Sequence, residues 1–351
     1  MRIQKLRQFL QEAGLDAMLI TRPENQRYLS GFTGGDAVLL ITAEVKLILT
    51  DSRYYEQVAE ESPSFTLVKL EKPIPVVVRH LLRSHGIKSL GFESTHLTHA
   101  QYREWRGRGT RWHPLKEAVE SIRLIKDADE LALIRQAIAL SDTACEHIRQ
   151  VLQPGMTERE VAWELESHMR SHGAEAVAFS IIVGSGPNGA KPHAVLQDRK
   201  ILAGEPIVMD FGARVNGYHS DLTRTLCLGK PSQELQGLYD IVLRAQLTAE
   251  QQGKPGMEGR EVDALARKVI SDAGHGAHFF HGLGHGVGLA IHEGPGVGQQ
   301  GTTQLQPGMV CTVEPGIYLP GWGGIRIEDM VVVTDNGLEV LTQARKELQA
   351  R

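Results

Sequence analysis

The chain has 351 residues and a mass of 38.7 kDa, which is more than one average domain of roughly 100–200 residues, so two domains are expected. Hydrophobic residues make up 41% and charged residues 23% of the sequence, an ordinary globular balance that excludes a disordered or fibrous chain. The formal net charge is −4 and there is no basic run, which argues against a nucleic-acid partner.

Cysteine usage and hydropathy indicate the compartment. The three cysteines are widely scattered and form no CxxC pair, as is usual in a reducing cytosol. The first residues contain no apolar core of a secretory signal, and no stretch approaches the roughly 20 apolar residues that span a bilayer. We therefore expect a cytoplasmic protein without a membrane partner. Five of the fifteen histidines lie between His275 and His292, and this clustering needs an explanation.

The predicted elements change character near residue 122. Before it, helices and short apolar strands alternate, beginning with a helix that ends at Gly14 and strands at 17–20 and 45–49. After it, longer amphipathic helices are predicted at 128–152, 157–172, 234–252 and 259–272. The fold class is therefore α/β (α+β), with a small N-terminal domain over 1–122 and a second domain over 123–351.

The second domain contains an internal repeat with an offset of 101 residues. The matching pairs are Pro154-Gly155-Met156 with Pro255-Gly256-Met257, Arg159-Glu160-Val161 with Arg260-Glu261-Val262, and Gly173 with Gly274. Each repeat helix is followed by a histidine-bearing, Gly-rich segment and then by strands. Two copies are too few for a solenoid, so we predict two similar halves that face each other.

A predicted β-hairpin in the first half carries two carboxylates on one face. Asn216-Gly217 is the strongest two-residue hairpin signal, and it places Asp210 opposite Thr223. Asp221 lies two residues from Thr223 and therefore points to the same face as Asp210. Two carboxylates flanked by apolar residues are costly to desolvate without a cation.

The second half repeats this arrangement. Glu314 ends the apolar strand 309–313, and Glu328 lies in a predicted strand over 325–332, with Arg326 two residues away on the same face. Four carboxylates and an imidazole suit Mn²⁺, Co²⁺, Zn²⁺ or Fe²⁺, and a bridged pair of such ions would activate a shared water. The alternative for any single acid is an ion pair with arginine or a bond to a backbone amide.

The histidine cluster supplies the candidate imidazole. Residues 281–288 contain four glycines in eight residues, which argues against a helix and against the helical HExxH zinc motif. His285 is the candidate ligand, whereas His281, His292 and His193 are available for hydrogen bonding or proton transfer. His275 and His278 are interpreted as solvated or capping residues. The last two assignments complete the set in this list: His193, His275, His278, His281, His285 and His292.

Taken together, these stretches resemble the proline-specific branch of the pita-bread metallopeptidases, which comprises Xaa-Pro dipeptidases (prolidases) and Xaa-Pro aminopeptidases. The matching segments are 186–193, 209–212, 220–225, 281–288, 291–293, 314–318 and 326–329, and the N-terminal part is similar to the creatinase/prolidase N-terminal domain at 25–32 and 50–54. The resemblance covers nearly the whole chain and implies a pseudo-twofold pita-bread catalytic domain.

The resemblance also implies the site residues. Two divalent metal ions, with Mn²⁺ named first and Co²⁺, Zn²⁺ or Fe²⁺ as alternatives, would be bound by Asp210, Asp221, His285, Glu314 and Glu328. Asp221 would bind one ion, His285 and Glu314 the other, and Asp210 and Glu328 would bridge them. Glu314 would also be the general base, His193 and His292 would be catalytic, and His281 and Arg326 would bind substrate.

The implied reaction is hydrolysis of the peptide bond before a C-terminal proline, with a bridging hydroxide as nucleophile and a homodimer as the assembly. A dipeptidase is favoured because the chain looks like the short bacterial or archaeal prolidase. One alternative is an Xaa-Pro aminopeptidase (aminopeptidase P) that acts on longer proline-containing peptides. An alternative of another class is a non-catalytic peptide-binding protein with the same fold, which metal and activity measurements would distinguish.

Overall fold

The computed structural model describes residues 1–350 of the chain. The chain divides into two compact units, of which the first comprises Met1–Arg123 and the second begins at Leu124. Each unit has its own sheets and its own apolar core.

The first unit is a mixed sheet surrounded by helices. Its helices are α1 (Arg2–Glu12), α2 (Pro23–Ser30), α3 (Tyr55–Glu61), α4 (Ile74–Ser84), α5 (His99–Trp105) and α6 (Glu120–Arg123). Its strands are β1 (Ala17–Ile20), β2 (Ala37–Thr42), β3 (Lys46–Thr50), β4 (Thr66–Lys69), β5 (Ser89–Glu93) and β6 (Arg111–Leu115). The strand order is β4-β3-β2-β1-β5-β6, and β1 pairs antiparallel with β2 but parallel with β5.

The second unit contains the longer helices. They are α7 (Ala128–Val151), α8 (Glu158–Ser171), α9 (Gln233–Gln252) and α10 (Gly259–Asp272), close to the bounds expected from the sequence. Each is amphipathic: α7, for example, buries Ile134, Ile138 and Cys145 on one side. No helix within residues 1–350 is long and apolar enough to cross a membrane.

The strands of the second unit form four small sheets among the described residues. They are β7 (Ala176–Val177), β8 (Ile182–Ser185), β9 (Pro206–Phe211), β10 (Ala213–Val215), β11 (Tyr218–His219), β12 (Leu222–Leu228), β13 (Gly284–Gly286), β14 (Glu293–Val297), β15 (Val310–Val313), β16 (Gly316–Leu319), β17 (Gly323–Arg326), β18 (Asp329–Thr334), β19 (Gly337–Val340) and β20 (Gln349–Ala350). The sheet orders are β20-β12-β9-β8, β11-β10-β7, β14-β13-β15-β18-β19 and β16-β17.

The repeat read from the sequence is present in the structure. Helices α8 and α10 each have 14 residues and begin 101 residues apart, and each starts with a capping box. The turns before them are also equivalent, because Gly155 N donates to Ile201 O and Gly256 N donates to Leu305 O. The two halves therefore share local structure as well as sequence.

Each half has its own core, and the halves join at a shared edge. Ile207, Met209 and Leu226 belong to the first core, whereas Val313 and Val331 belong to the second. At the junction, Glu328 N donates a hydrogen bond to Thr223 O over 3.0 Å. The polar side chains described below lie along this edge.

Candidate metal centre and its cavity

A cavity of about 420 Å³ in the second unit is lined by every residue that the sequence nominated for the site. These residues are His193, Asp210, Asp221, His281, His285, His292, Glu314, Arg326 and Glu328. The remaining walls include Phe179, Ile182, Pro192 and Ile291, so an apolar surface faces the polar groups. Such a pairing of apolar walls with a few convergent polar groups is typical of small-ligand sites.

The hairpin in the first half has the predicted register. Val215 pairs with Tyr218 around the Asn216-Gly217 turn, and Asp210 on β9 pairs with Thr223 on β12. Asn216 has a φ of 46°, which its short polar side chain tolerates in a tight hairpin turn. This register brings Asp210 and Asp221 to the same cavity.

The second half supplies its carboxylates differently from the prediction. Glu314 follows β15 as expected, but 325–332 is not one strand, because β17 ends at Arg326 and β18 begins at Asp329. Strand β17 pairs with β16 and β18 pairs with β15, so the chain changes sheet at Ile327 and Glu328. Arg326 and Glu328 therefore reach the cavity from either side of a break, and their shared strand face was a wrong expectation.

His285 lies between carboxylates of the two halves. Its Nε2 is 3.5 Å from Asp221 Oδ2 and 3.5 Å from Glu314 Oε1. Its Nδ1 is 3.1 Å from Gly286 O, so Nδ1–H donates to that carbonyl and Nε2 keeps a free lone pair. Burial lowers the pKa of His285, which favours the neutral imidazole that binds metals.

The backbone approaches closely at this point, and glycine permits it. A Cβ added at Gly284 would lie 2.1 Å from Thr312 O, which no side chain can occupy. The glycine run therefore brings β13 next to β15, and the adjacent imidazole reaches the carboxylates.

The carboxylates of the cavity are poorly compensated by protein charges. Burial raises the pKa of Asp221 and that of Glu328 well above their ordinary values, with neighbouring carboxylates adding to the effect. Burial also raises the pKa of Glu314 to about 7, against the opposing effect of Arg326. Asp210 Oδ1 is buried and has no hydrogen-bond partner among residues 1–350.

These observations test whether a metal fits. Ligand atoms of Asp221, His285 and Glu328 lie within 4.8 Å of one another, so a single ion can be reached by all three. Oxygen and imidazole donors of this kind suit divalent first-row metals. A cation would also satisfy the unpartnered oxygen of Asp210 and remove the repulsion among the acids. The residues therefore fit divalent metal.

Arg326 is the centre of a buried polar network beside the carboxylates. Its guanidinium donates to Asp210 Oδ2 over 2.5 Å, to Tyr318 Oη over 2.8 Å and to Thr223 Oγ1 over 3.1 Å. Tyr318 Oη also lies 3.0 Å from His281 Nε2. Burial lowers the pKa of His281 to about 4, with Arg326 as the next cause, so His281 is neutral near pH 7.

The sequence interpretation named Arg326 and His281 but gave no role to Tyr318, Thr223 or Thr312. Tyr318 could have been noticed because it closes the segment 314–318 that carried part of the resemblance. The threonine hydroxyls gave no comparable signal, because their partners come from distant parts of the chain.

The remaining histidines divide into two groups. His193 and His292 are exposed and line the cavity, and the rings of His285 and His292 are 4.2 Å apart. His275 and His278 belong to the turn around Gly276–His278 and are not among the described residues that line the cavity. Their assignment as residues without a role in the site agrees with this position.

Comparison with known proteins gives matches along the whole chain. Residues 132–335 match metallopeptidase family M24, and residues 2–125 match the creatinase/prolidase N-terminal domain. The solved Xaa-Pro dipeptidase from Bacillus anthracis is 42% identical with a TM-score of 0.96, and the match covers 99% of this chain and 98% of that chain.

Two further relatives carry different names. An Xaa-Pro dipeptidase of Pyrococcus furiosus is 37% identical over 351 residues, which is 99% of this chain and 99% of that protein. The solved X-Pro aminopeptidase from Thermotoga maritima is 37% identical with a TM-score of 0.90, and the match covers 99% of both chains. Both kinds of name thus occur at the same level of identity.

Proposed function

This chain belongs to metallopeptidase family M24, and we propose that it is an Xaa-Pro dipeptidase that hydrolyses the peptide bond before a C-terminal proline. One observation carries the proposal: four carboxylates and a neutral imidazole converge at a cavity whose other walls are largely apolar. The matches to Xaa-Pro dipeptidases of B. anthracis and P. furiosus support the substrate class. Mn²⁺ as the metal, a homodimer and a cytoplasmic location stay predictions of the sequence.

The proposed metal ligands are those named from the sequence. Asp210, Asp221, His285, Glu314 and Glu328 would hold two divalent ions, with Asp210 and Glu328 shared between them. When bound, such ions lower the pKa of a coordinated water and polarise a carbonyl. The domain assignment of 1–122 and 123–351 is proposed with them, so that the second domain contains every ligand.

Glu314 is the proposed general base. Its pKa of about 7 in this cavity, raised by burial, is close to the value at which a base both holds and releases a proton near neutral pH. Thr312 Oγ1 donates to Glu314 Oε1 over 3.1 Å, which orients the carboxylate. The proton of the attacking water would pass to Glu314 and from there to the proline nitrogen that leaves.

The histidines and Arg326 are proposed to hold the substrate. His193 and His292 are exposed at the cavity and can donate to the scissile carbonyl and to the oxyanion that develops from it. Neutral His281 and Arg326 meet at Tyr318 and form the polar side of the pocket for the proline. Ile182 and Ile291 supply apolar surface against which a proline ring can pack.

The decisive experiment separates metal binding from hydrolysis. Wild type, Glu314→Gln and the surface control Glu339→Gln should be loaded with Mn²⁺, analysed for bound metal, and assayed with Ala-Pro. Wild type and the control should cleave, whereas Glu314→Gln should lose at least ~10²-fold in kcat, as expected for loss of a general base. Full hydrolysis by Glu314→Gln would contradict the role of Glu314. Binding of Ala-Pro by wild type without cleavage would support the non-catalytic alternative.

A second cavity favours a second candidate, an Xaa-Pro aminopeptidase that takes longer peptides. It measures about 460 Å³ and joins the first cavity through His281, Gly282 and Gly284. Its other lining residues are uncharged, namely Phe280, Gly296, Val297, Gly298, Gln299, Gln300 and Gly301. A neutral space beyond the proposed proline pocket suits the residues that follow proline better than it suits a free carboxylate.

Substrate length distinguishes the two candidates. Efficient cleavage of Ala-Pro-Ala would refute a strict dipeptidase and support the aminopeptidase. A Cβ at Gly296 would meet nothing within 4 Å, so Gly296→Val can narrow the second cavity without a backbone clash. If longer peptides use this space, Gly296→Val should lower kcat/KM for Ala-Pro-Ala and leave that for Ala-Pro unchanged.

A further inference from the structure

Two buried threonines, one in each half, hold the carboxylates of the proposed metal centre. Thr223 lies on β12 and Thr312 lies on β15, and both are 0% exposed. Thr223 Oγ1 donates to Glu328 Oε2 over 2.7 Å, and Thr312 Oγ1 donates to Glu314 Oε1 over 3.1 Å. Neither residue is among those that line the cavity, so they act through the carboxylates.

Each threonine hydroxyl is itself held by an N–H donor. Arg326 Nε donates to Thr223 Oγ1 over 3.1 Å, and the backbone N of His285 donates to Thr312 Oγ1 over 3.0 Å. A hydroxyl has one proton and two lone pairs, so an N–H on one lone pair leaves the proton free for the carboxylate. The β-branched threonine side chain is also stiff at χ1, which fixes the direction of the O–H bond.

The two hydroxyls connect different groups of the site. Thr312 lies two residues before Glu314 and links it to His285, so both linked groups belong to the second half. Thr223 belongs to the first half but links Glu328 to Arg326, and its carbonyl also accepts from Glu328 N over 3.0 Å. One threonine thus orients a carboxylate within a half, and the other orients a carboxylate across the junction.

We propose that Thr223 and Thr312 are positioning residues that orient Glu328 and Glu314 for divalent-metal binding. The inference rests on the proposed function, because it needs a metal at these carboxylates. A carboxylate held by one hydrogen bond has less rotational freedom to lose when it binds an ion, and its remaining lone pairs stay directed into the cavity. Removal of such an outer hydrogen bond typically costs ~10–100-fold in metal affinity.

The test is Mn²⁺ binding to the full-length, metal-stripped protein, measured by titration calorimetry. Thr223→Val and Thr312→Val keep the shape but remove the hydroxyl, whereas Thr223→Ser and Thr312→Ser keep the hydroxyl. Thr225→Val is the matched control, because Thr225 is buried on the same strand and bonds only to the backbone of Arg326. Circular dichroism checks that each variant is folded, and Thr→Ala variants replace any valine variant that is not.

The expected result is a Kd for Mn²⁺ at least ~10-fold higher in the valine variants, with the serine variants and Thr225→Val within about threefold of wild type. Valine variants that bind Mn²⁺ as tightly as wild type would overturn the inference. An equal loss in Thr225→Val would also overturn it, since the effect would then follow from any buried hydroxyl. If wild type itself binds no Mn²⁺, the proposed function fails instead.

Discussion

Removal of metal should make the stability of the protein fall as the pH rises through the range of Glu314. The Glu314 side chain is 16% exposed, and burial raises its pKa from the ordinary 4.5 to about 7. Between these two values the folded state binds the proton and the unfolded chain does not. The metal-free protein is therefore most stable below about pH 4.5 with respect to this group, and it loses that stability as the pH rises past about 7.

The size of the effect follows from the same two values. A difference from 4.5 to about 7 corresponds to about 3 kcal/mol, at about 1.4 kcal/mol per pH unit. Glutamine at this position does not titrate. In the metal-free state, Glu314→Gln should therefore gain about 3 kcal/mol in unfolding free energy relative to wild type between pH 4.5 and pH 8.

Urea unfolding of both proteins in excess chelator, at several pH values across this range, measures the difference. His281, whose pKa is lowered to about 4 by burial, adds stability as the pH rises, but it is present in both proteins and cancels. In saturating Mn²⁺ the order should reverse, because wild type then gains binding energy from the ionised carboxylate. A difference between the two metal-free proteins that does not change with pH would refute the reasoning.

Three further outcomes are expected. Arg326→Gln should destabilise the protein by about 3–5 kcal/mol in denaturant titration, because it leaves Asp210 buried without its partner; a loss below about 1 kcal/mol would contradict this. Gly212→Ala should cost about 1–3 kcal/mol in the same assay, because its Cβ would lie 1.9 Å from the Ser220 carbonyl oxygen, whereas Gly237→Ala on helix α9, where a Cβ meets nothing within 4 Å, should be neutral or stabilising. Burial raises the pKa of the Cys145 thiol to about 11 and that of Cys311 to about 12, so both should react with a thiol reagent at pH 8 only after unfolding; prompt labelling of the native protein would show that they are accessible.

The parts of the molecule that followed from the sequence are those set by local signals. The capping box at Thr157 and Glu160 fixed the start of α8, and the 101-residue offset placed α10 at its equivalent position. The Asn216-Gly217 turn has so few allowed conformations that it determined the pairing of Asp210 with Thr223 six residues away from the turn. Once that register is known, the face on which the first two carboxylates lie follows from the alternation of a strand.

The parts that did not follow depend on distant contacts. An alternating apolar pattern over 325–332 looks like one strand, but it cannot tell that Arg326 pairs with Gly316 while Asp329 pairs with Val313 in another sheet. Likewise, a threonine in a strand is ordinary in composition, and only the fold brings the Thr223 hydroxyl to Glu328, which is 105 residues further along the chain. Side-chain hydrogen bonds between halves are therefore invisible to a reading based on period and propensity.

The charge of the cavity gives a reason for two ions rather than one. With the four acids ionised and Arg326 protonated, the lining carries a formal charge of −3. One divalent ion leaves a net −1, which would repel the negative charge that develops on a carbonyl oxygen during hydrolysis, whereas two leave a net +1, which would stabilise it. Arg326 cannot supply this on its own, because it is already bonded to Asp210, Tyr318 and Thr223. A site built from two similar halves, each contributing two carboxylates, thus has the ligand charge that a pair of divalent ions requires.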